Sequence, residues 1–344
     1  MSFSSIIGHD RAIDILRRAL ANDALAHAYL FSGEPGIGKR LTAYALAAAL
    51  NCETPGPAGG CGACPACRRI AGGIHPDVRI VMPESRDEQL LSTWSSKEIE
   101  KASDEIKIDQ IRRAQESISL KPSEGRKKVL IVDGAETMNE ASQNAFLKTL
   151  EEPPGDSLII LITSLPQSLL PTIRSRCQTL VFQPLPRHTL AKVIRENRGL
   201  SEEDAWFIAA LSRGSLGRAL VMDVQKEKAD REQFLALREG LAGMRDDEIL
   251  TLAGGIAKDR DGFDRLLDIG IERLRDLLVL HETGDARLLV FAGAAESMAG
   301  SPASFVLEKH LQDIELFNRC RTLLERRVSA QLVAENLFLK LARP

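Results

Sequence analysis

The sequence predicts an α/β fold with a parallel sheet, followed by a part of the chain that is entirely helical. Three observations support this prediction. Short apolar segments alternate with helical patterns through the first half, a glycine-rich loop follows the first apolar segment, and strand signals end near residue 185. Alternating strands and helices are typical of a doubly wound sheet whose strands are joined by right-handed crossovers.

Five short apolar segments of the first half are predicted strands. In chain order they are "AYLFSG", "DVRIVMP", "KKVLIVDGAE", "SLIILITS" and "QTLVFQPLP". The third is almost entirely apolar or β-branched up to Val132, as expected of a strand that is buried on both faces. Helices are predicted for "DRAIDILRRALAND" from its apolar face, for "KRLTAYALAAALNC" from its composition, and for "NEASQNAFLKTLEE", which stops before Pro153.

The second half of the chain favours helices throughout. Residues from about 187 to 223 indicate short helices, and the pattern is helical from about residue 231 onward. We therefore predict an α/β domain at residues 1–185, a small helical domain at residues 186–228 and a C-terminal helical domain at residues 229–344. The polar, charge-rich segment 85–105 is predicted to be a solvent-exposed insertion in the first domain.

Composition argues against two classes of protein. The chain of 344 residues has a net charge of −3 and an aromatic content of 4%. Because nucleic acid is bound by positive charge and, when single-stranded, by stacking on exposed rings, this composition argues against a plain DNA-binding module. The N-terminus lacks a signal-peptide pattern, and no apolar run approaches the ~18 residues of a membrane span. We therefore expect a cytoplasmic protein without membrane contact.

The segment "SGEPGIGKR" is a candidate phosphate-binding loop. Gly33, Gly36, Gly38 and Lys39 lie between a predicted strand and a predicted helix, which is the context that this motif requires. In such a loop the backbone N–H groups and the helix N-terminus surround phosphate oxygens, while the lysine reaches the outer phosphates. The alternative is a glycine-rich turn without a ligand. The spacing favours a nucleotide loop and leaves ATP binding as an open question.

Two positions of this candidate site lack the residues that hydrolysis requires. The residue after Lys39 is Arg40, where a Ser or Thr hydroxyl would bind Mg²⁺. Asp133 ends the third predicted strand, where an aspartate would hold the metal shell, but Gly134 follows it in place of a glutamate. Glu136 comes three residues after Asp133 and is expected to point elsewhere. We therefore expect little or no hydrolysis by this chain, and a role for Mg²⁺ stays open.

The segment "SLLPTIRSRCQTLVF" contains a candidate arginine finger. Arg176 lies on a short helical segment between two predicted strands, at an edge of the sheet from which a neighbouring protein could be reached. A guanidinium is planar and always charged, so it can stabilise the charge on a γ-phosphoryl group from across an interface. The alternative is that Arg174 and Arg176 are surface charges, and the triplet alone does not decide between the two.

Four of the six cysteines form a candidate metal site. They follow the pattern C-x8-C-x2-C-x2-C in a segment rich in Gly and Pro, at Cys52, Cys61, Cys64 and Cys67. This spacing allows four thiolates to meet tetrahedrally at ~2.3 Å from Zn²⁺, in a structural site with no open position. Reduced thiols and an iron–sulfur cluster are the alternatives, and His75 is a spare ligand if one cysteine is free.

Taken together, these segments resemble the bacterial clamp-loader subunits of the AAA+ class over nearly the full length of the chain. The resemblance is carried by "GHDRAIDILRRAL", "AHAYLFSGEPGIGK", "CGACPAC" followed by "HPDV", "IKIDQIR", "VLIVDGAETMNEASQNAFLKTLEEPP", "LPTIRSRCQTLVF" and "GSLGRAL". Within this family the chain is similar to the delta-prime type of DNA polymerase III. The gamma/tau motor type would have Thr or Ser at position 40 and Glu at position 134.

The resemblance implies a RecA-like ATPase domain that includes the zinc loop 52–67, a small helical lid domain, and a helical collar domain that holds a five-membered ring. It implies that Arg176 acts in trans on the ATP site of an adjacent motor subunit. It also implies that Arg218, in "GSLGRAL", corresponds to the family's second nucleotide sensor, and that the four cysteines bind structural zinc.

The resemblance also implies partners and a function. The partners would be gamma/tau and delta subunits in a pentameric ring, with the sliding clamp and primer–template DNA reached through the assembly. The function would be that of a stator in the replicative clamp loader, which makes the chain a component of the DNA polymerase III holoenzyme, a nucleotidyltransferase complex. The alternative is a catalytically active gamma/tau-like ATPase subunit.

Overall fold

The computed structural model of the chain describes residues 2–87, 91–92, 101–291 and 307–343. It divides into two compact units, Met1–Pro186 with Gly214–Arg218, and Arg187–Arg213 with Ala219–Pro344. Part of the predicted insertion at residues 85–105, namely residues 88–90 and 93–100, lies outside the described residues.

A five-stranded parallel sheet runs through the first unit. Its strands are β1 (Ala28–Ser32), β2 (Val78–Val81), β3 (Lys128–Asp133), β4 (Ser157–Thr163) and β5 (Gln178–Val181). Their order across the sheet is β2-β3-β4-β1-β5, and every pairing is parallel. All five coincide with the predicted strands, so the predicted parallel α/β fold is confirmed.

Helices cover both faces of this sheet. They are α1 (Asp10–Ala21), α2 (Lys39–Asn51), α3 (Pro65–Ala71), α4 (Ile108–Ser119), α5 (Glu140–Glu151) and α6 (Pro171–Arg174). Alternate side chains of β1 enter opposite cores: Tyr29 and Phe31 pack with α1 and α2, and Leu30 packs with α4 and α5. Because each fully buried apolar side chain contributes about 1.5–3 kcal/mol, these two cores account for much of the unit's stability.

The register of the sheet brings several chain segments to one edge. Ser32 of β1 pairs with Thr163 of β4, and Asp133 of β3 pairs with Ile162 of the same strand. The carboxyl ends of β1, β3 and β4 therefore lie side by side. In open α/β sheets ligands bind outside the carboxyl ends of the strands, so this edge is where a site is expected.

The described part of the second unit consists of helices. They are α7 (Arg187–Arg198), α8 (Glu202–Leu211), α9 (Leu216–Val221, which begins in the first unit), α10 (Val224–Leu241), α11 (Asp246–Ile256), α12 (Arg260–Thr283), α13 (Leu307–Glu325) and α14 (Ala330–Ala342). Phe263, Phe317 and Phe338 lie in its apolar core. Gly270 of α12 is required by close packing, because a β-carbon there would clash with the ring of Phe317.

The predicted helical character of the second half is therefore confirmed for the residues that the structure describes there. Of the helices in the described part of the chain, none combines the length and the apolar character that crossing a bilayer requires.

A buried ion pair fixes the loop before β3. Asp77 is 1% exposed, and Oδ1 of its carboxylate lies 3.0 Å from Nζ of Lys128. The same carboxylate accepts hydrogen bonds from the backbone N–H groups of Ser123, Glu124 and Gly125. Burial alone would raise the pKa of Asp77, but these hydrogen bonds and Lys128 outweigh it and hold the pKa well below its usual value.

Replacement of Asp77 by asparagine is expected to lower the free energy of unfolding by about 3–5 kcal/mol, because Lys128 would stay buried without its counter-ion. The folded-state pKa of Asp77 lies below its unfolded value, so its contribution is present above pH ~4 and is lost as the pH falls below that value. Urea unfolding of both proteins across this range measures the effect.

The difference between wild type and Asp77→Asn should therefore shrink as the solution is acidified. Asp109→Asn is the matched control, because the side chain of Asp109 is 73% exposed. We expect that control to stay within about 0.5 kcal/mol of wild type. A wild-type advantage that did not depend on pH would contradict the assignment.

Candidate functional site

The predicted phosphate loop connects β1 to α2 at the carboxyl edge of the sheet. Gly33, Gly36 and Gly38 have positive φ angles of 148°, 73° and 111°. A β-carbon at Gly33 would lie 2.5 Å from the carbonyl oxygen of Phe182, and one at Gly36 would lie 2.5 Å from Oγ of Ser215. The loop therefore needs glycine both for its backbone conformation and for the close approach of neighbouring chain.

Lys39 is the first residue of α2, and its side chain is buried. Its Nζ donates hydrogen bonds to the carbonyl oxygens of Gly33 and Glu34, the second at 2.7 Å. Burial lowers the pKa of Lys39, and the carboxylates of Asp133, Glu136 and Glu34 partly offset this effect. The ammonium group is thus held by the loop and lies in the field of carboxylates at the strand ends.

Arg40 and Asp133 form an ion pair at the place where a metal ion would be expected. Nε of Arg40 donates to Oδ2 of Asp133, and the two side chains are 47% and 16% exposed. Mg²⁺ in a loop of this type is held by a hydroxyl at the first of these positions and by the carboxylate at the second. Here the first residue is a cation and the second is bound to it. The residues present therefore do not fit Mg²⁺.

A second arginine lies at the other altered position. Gly134 follows β3 with a φ angle of 80°, and a β-carbon built there would lie 3.3 Å from Nη1 of Arg86 and 3.6 Å from Cδ of Pro83. Gly134, in a left-handed backbone conformation, therefore occupies the position of a water-polarising glutamate, and the guanidinium of Arg86 lies beside it. The sequence did not predict Arg86, because only the pairing of β2 with β3 brings the segment after β2 to this point.

Glu136 lies at the same edge of the sheet as the loop, which the sequence did not predict. Its carboxylate accepts a hydrogen bond of 2.8 Å from Oγ of Ser164, directly after β4. Burial raises the pKa of Glu136, but hydrogen bonds from its own backbone N–H and from Ser164 outweigh burial and leave the pKa lowered. The carboxylate is thus held ionised against β4 and contributes negative charge near Lys39.

The segment around Arg218 contacts the loop through its backbone. The N–H of Gly217 donates to the carbonyl oxygen of Gly36 at 2.9 Å, and the N–H of Arg218 donates to Oγ of Ser215 at 3.2 Å. The structure therefore brings the backbone of the predicted second sensor to the phosphate loop. The residue itself is exposed at the start of α9.

Arg176 lies in the turn between α6 and β5, and β5 is an edge strand of the sheet. Its Nη1 donates to the carbonyl oxygen of Thr172 at 2.9 Å, and its Nη2 lies 2.6 Å from Oε1 of Glu151, the last residue of α5. About a third of the side chain, 34%, is exposed. These two contacts hold the guanidinium at the surface, at the edge position that the sequence predicted.

The four predicted cysteine ligands meet between α2 and α3. Their sulfur atoms all lie within 4.8 Å of one another, and Sγ of Cys52 lies 3.9 Å from Sγ of Cys64. Zn–S bonds of ~2.3 Å in a tetrahedron place sulfurs about 3.8 Å apart, whereas a disulfide requires ~2.05 Å. The cluster therefore fits a four-coordinate metal ion. His75 does not belong to this cluster, and its Nδ1 accepts a hydrogen bond from the N–H of Asp77.

Backbone N–H groups point at the sulfur atoms of this cluster. The N–H of Cys61 donates to Sγ of Cys52 at 3.2 Å, and the N–H of Cys67 donates to Sγ of Cys64 at 3.4 Å. Hydrogen bonds from Ala63 and Cys64 lower the pKa of Cys61 to about 6, whereas burial raises the pKa of Cys67 to about 12. Because a metal ligand must be the thiolate, the buried Cys67 sulfur needs a cation beside it to be deprotonated at neutral pH.

Comparison with known proteins gives a family match to most of the first unit. The family described as "DNA polymerase III, delta subunit" matches residues 8–186. The DNA polymerase III subunit delta' of Pseudomonas aeruginosa is 37% identical over 65% of this chain and 63% of its own length. The subunit delta' of Bacillus subtilis is 40% identical over 51% of this chain and 47% of its own length. The match thus spans between about half and two thirds of these two relatives.

Other proteins are similar over more of the chain. The DNA polymerase III subunit tau of Escherichia coli is 33% identical over 73% of this chain and 37% of its own length. A solved structure of a DNA polymerase III gamma subunit-related protein from Thermotoga maritima covers 96% of this chain and 98% of its own, with 17% identity and a TM-score of 0.43.

Proposed function

The chain belongs to the DNA polymerase III delta-subunit family, and from this premise we propose that it is a delta-prime-like stator of the bacterial replicative clamp loader. In this role it supplies Arg176 in trans to the ATP site of a neighbouring motor subunit during loading of the sliding clamp on primed DNA. One observation carries the proposal: the chain holds Arg176 at an exposed edge, while Arg40 and Asp133 of its own loop are bound to each other.

The proposal includes a three-part layout and a set of partners. Residues 1–185 would form the RecA-like domain, residues 186–228 the lid, and residues 229–344 the collar that joins the ring. The partners would be gamma/tau and delta subunits in a pentamer, with the clamp and primer–template DNA reached through the assembly. The helical character of the described part of the second unit supports the collar assignment.

In the stator role that we propose, the chain's own loop does not hydrolyse ATP. A γ-phosphoryl group is transferred only when its charge is neutralised by a metal and its nucleophile is oriented by a polarising side chain. Arg40 bound to Asp133 and Gly134 beside Arg86 supply neither. Lys39 and the glycines would still be able to hold phosphate groups.

Arg176 acts in this account on the neighbour's nucleotide. A guanidinium brought against a γ-phosphoryl group stabilises the charge that spreads over its oxygens in the transition state. Glu151 and the carbonyl oxygen of Thr172 fix the side chain before docking. A side chain that is already ordered loses less conformational entropy when it enters the neighbouring site. Binding of the finger is therefore more favourable than it would be for a mobile arginine.

We also propose that Cys52, Cys61, Cys64 and Cys67 hold a structural zinc ion. The 3.9 Å separation between Sγ of Cys52 and Sγ of Cys64 supports this assignment. With four protein ligands the metal has no open position, so it would supply cross-linking and no catalysis. It would tie the end of α2 to the start of α3.

The isolated chain is expected to show no ATP turnover above background, even with Mg²⁺ and DNA. Measurement of phosphate release from the purified full chain tests this, with Lys39→Ala as the variant that lacks the loop's ammonium group. The second candidate function, an active gamma/tau-like motor, is favoured by the identity to tau over 73% of the chain. Turnover near ~1 s⁻¹ that disappears in Lys39→Ala would support that motor and refute the stator proposal.

A further inference from the structure

The phosphate loop of the first unit carries arginine side chains where a metal ion and its surroundings would be. Arg40 is bonded to Asp133, and Arg86 lies beside Gly134. Together the two guanidinium groups carry the same charge as one Mg²⁺ ion. Unlike the metal, both are covalently part of the chain, so this charge is present at the loop whatever the concentration of divalent ions.

The guanidinium of Arg40 has N–H donors that the ion pair with Asp133 does not use. Its Nε is bonded to Asp133, and its Nη2 makes a long contact of 4.0 Å with Sδ of Met82. The side chain is about half exposed. A guanidinium presents a planar fork of N–H groups that matches phosphate oxygens. Arg40 can therefore keep Asp133 neutralised on one side and bind an anion on the other.

The backbone of the loop presents donors to the same anion. Within the part of the chain that the structure describes, the N–H groups of Gly36, Ile37 and Gly38 donate no hydrogen bond to another residue. Nζ of Lys39 is held by the carbonyl oxygens of Gly33 and Glu34, which keeps a third cation at the loop, in addition to Arg40 and Arg86. Donors and cations for a phosphate group are thus present, and the Mg²⁺ ligands are not.

We propose that this loop binds a nucleoside polyphosphate without Mg²⁺, with the guanidinium of Arg40 on the phosphates in place of the metal. The role of the bound nucleotide is structural, because nothing in the loop activates water. The inference concerns the chain's own loop and is independent of Arg176: nucleotide binding can fail while the finger acts, and the reverse also holds.

Titration calorimetry of the full-length chain with ADP and with ATP, each in Mg²⁺ buffer and in EDTA, tests the proposal. For wild type we expect binding that does not require Mg²⁺, with an affinity in EDTA at least as high as in Mg²⁺ buffer, because Mg²⁺ competes with Arg40 for the phosphate oxygens. The informative variant is Arg40→Thr. It supplies a hydroxyl and releases the carboxylate of Asp133 from its ion pair, and these are the two protein ligands that Mg²⁺ has in a loop of this type. In EDTA this variant is expected to bind about tenfold to a hundredfold more weakly, as loss of a charge-assisted hydrogen bond predicts. In Mg²⁺ its affinity should recover.

Arg79→Ala is the matched control. Arg79 is an exposed residue of β2 that lines the same cleft as Arg40, and its removal takes one positive charge from that cleft without touching Asp133. We expect its affinities to match those of wild type in both buffers. A switch in metal dependence confined to Arg40→Thr cannot come from misfolding, because misfolding would weaken binding in both buffers.

Three results would overturn the proposal. The first is wild-type binding that requires Mg²⁺, the second is no binding in either buffer, and the third is Arg40→Thr with wild-type affinity in EDTA. The second result would mean that the Arg40–Asp133 pair closes the loop to phosphate. None of the three bears on the neighbour's ATP site, so each is distinguishable from failure of the stator proposal.

Discussion

Replacement of Arg176 by alanine is expected to reduce ATP hydrolysis at the adjoining motor site of the reconstituted clamp loader by about 10³–10⁵-fold, the effect of losing an arginine finger. The physical reason is that the γ-phosphoryl charge would lose its stabilising guanidinium while every other part of that site stays in place. Steady-state ATP turnover of the assembly, measured with clamp and primed DNA, should fall at least by the fraction of the total turnover that this one site contributes. The turnover should fall to background if the ATP sites of the ring hydrolyse cooperatively, so that loss of one site stops the others.

Two variants make this measurement specific. Arg174→Ala removes an exposed arginine from the end of α6, two residues away, and should leave turnover unchanged. Arg176→Lys keeps the positive charge but lacks the planar fork, so it should rescue little of the loss. Size-exclusion chromatography establishes that each ring assembles. Equal turnover in Arg174→Ala and Arg176→Ala would show that Arg176 is a surface charge.

Replacement of Cys67 by serine is expected to remove zinc from the protein and to destabilise the first unit. Loss of a metal site belongs to the few kinds of change that cost more than about 4 kcal/mol. At 2–4 °C per kcal/mol for a unit of this size, the melting temperature should fall by about 10 °C or more. Cys67 is the most informative ligand, because it is buried and its N–H also supports Sγ of Cys64.

Metal analysis and thermal unfolding of the same samples measure both effects. Wild type should contain close to one zinc ion per chain, and a chelator should lower its melting temperature as the substitution does. Cys177→Ser is the control, because Cys177 packs beside the opposite core and lies outside the cluster. Wild type without zinc, or with an unchanged melting temperature after its removal, would contradict the assignment even if Cys67→Ser failed to fold.

Much of the fold could be predicted because its signals are local. Buried parallel strands are short apolar runs, and β3 is recognisable as such from Lys128 to Asp133. The glycine loop and the C-x8-C-x2-C-x2-C spacing are also local patterns, and both occur where the sequence predicted them. The place of Arg176 between two strands is likewise visible in the sequence, whereas its place at the sheet edge depends on the strand order.

The partners of the candidate site residues could not be predicted, because they come from distant parts of the chain. Arg40 and Asp133 are each visible in the sequence, but their pairing depends on β1 and β3 ending at one edge of the sheet. Arg86 reaches Gly134 only through the pairing of β2 with β3. Glu151 contacts Arg176 only because α5 ends near the turn before β5. Local periodicity carries no information about such contacts.

The most direct test of the stator role is to count the ATP molecules that one assembled loader hydrolyses in a single round of clamp loading on primed DNA. A rapid-quench experiment with wild type and with Arg176→Ala in this chain alone gives the two numbers. If Arg176 is the finger of the neighbouring site, the variant hydrolyses at least one ATP fewer per assembly in that round, although the ring is intact. The same number at the same rate in both assemblies would contradict the stator role.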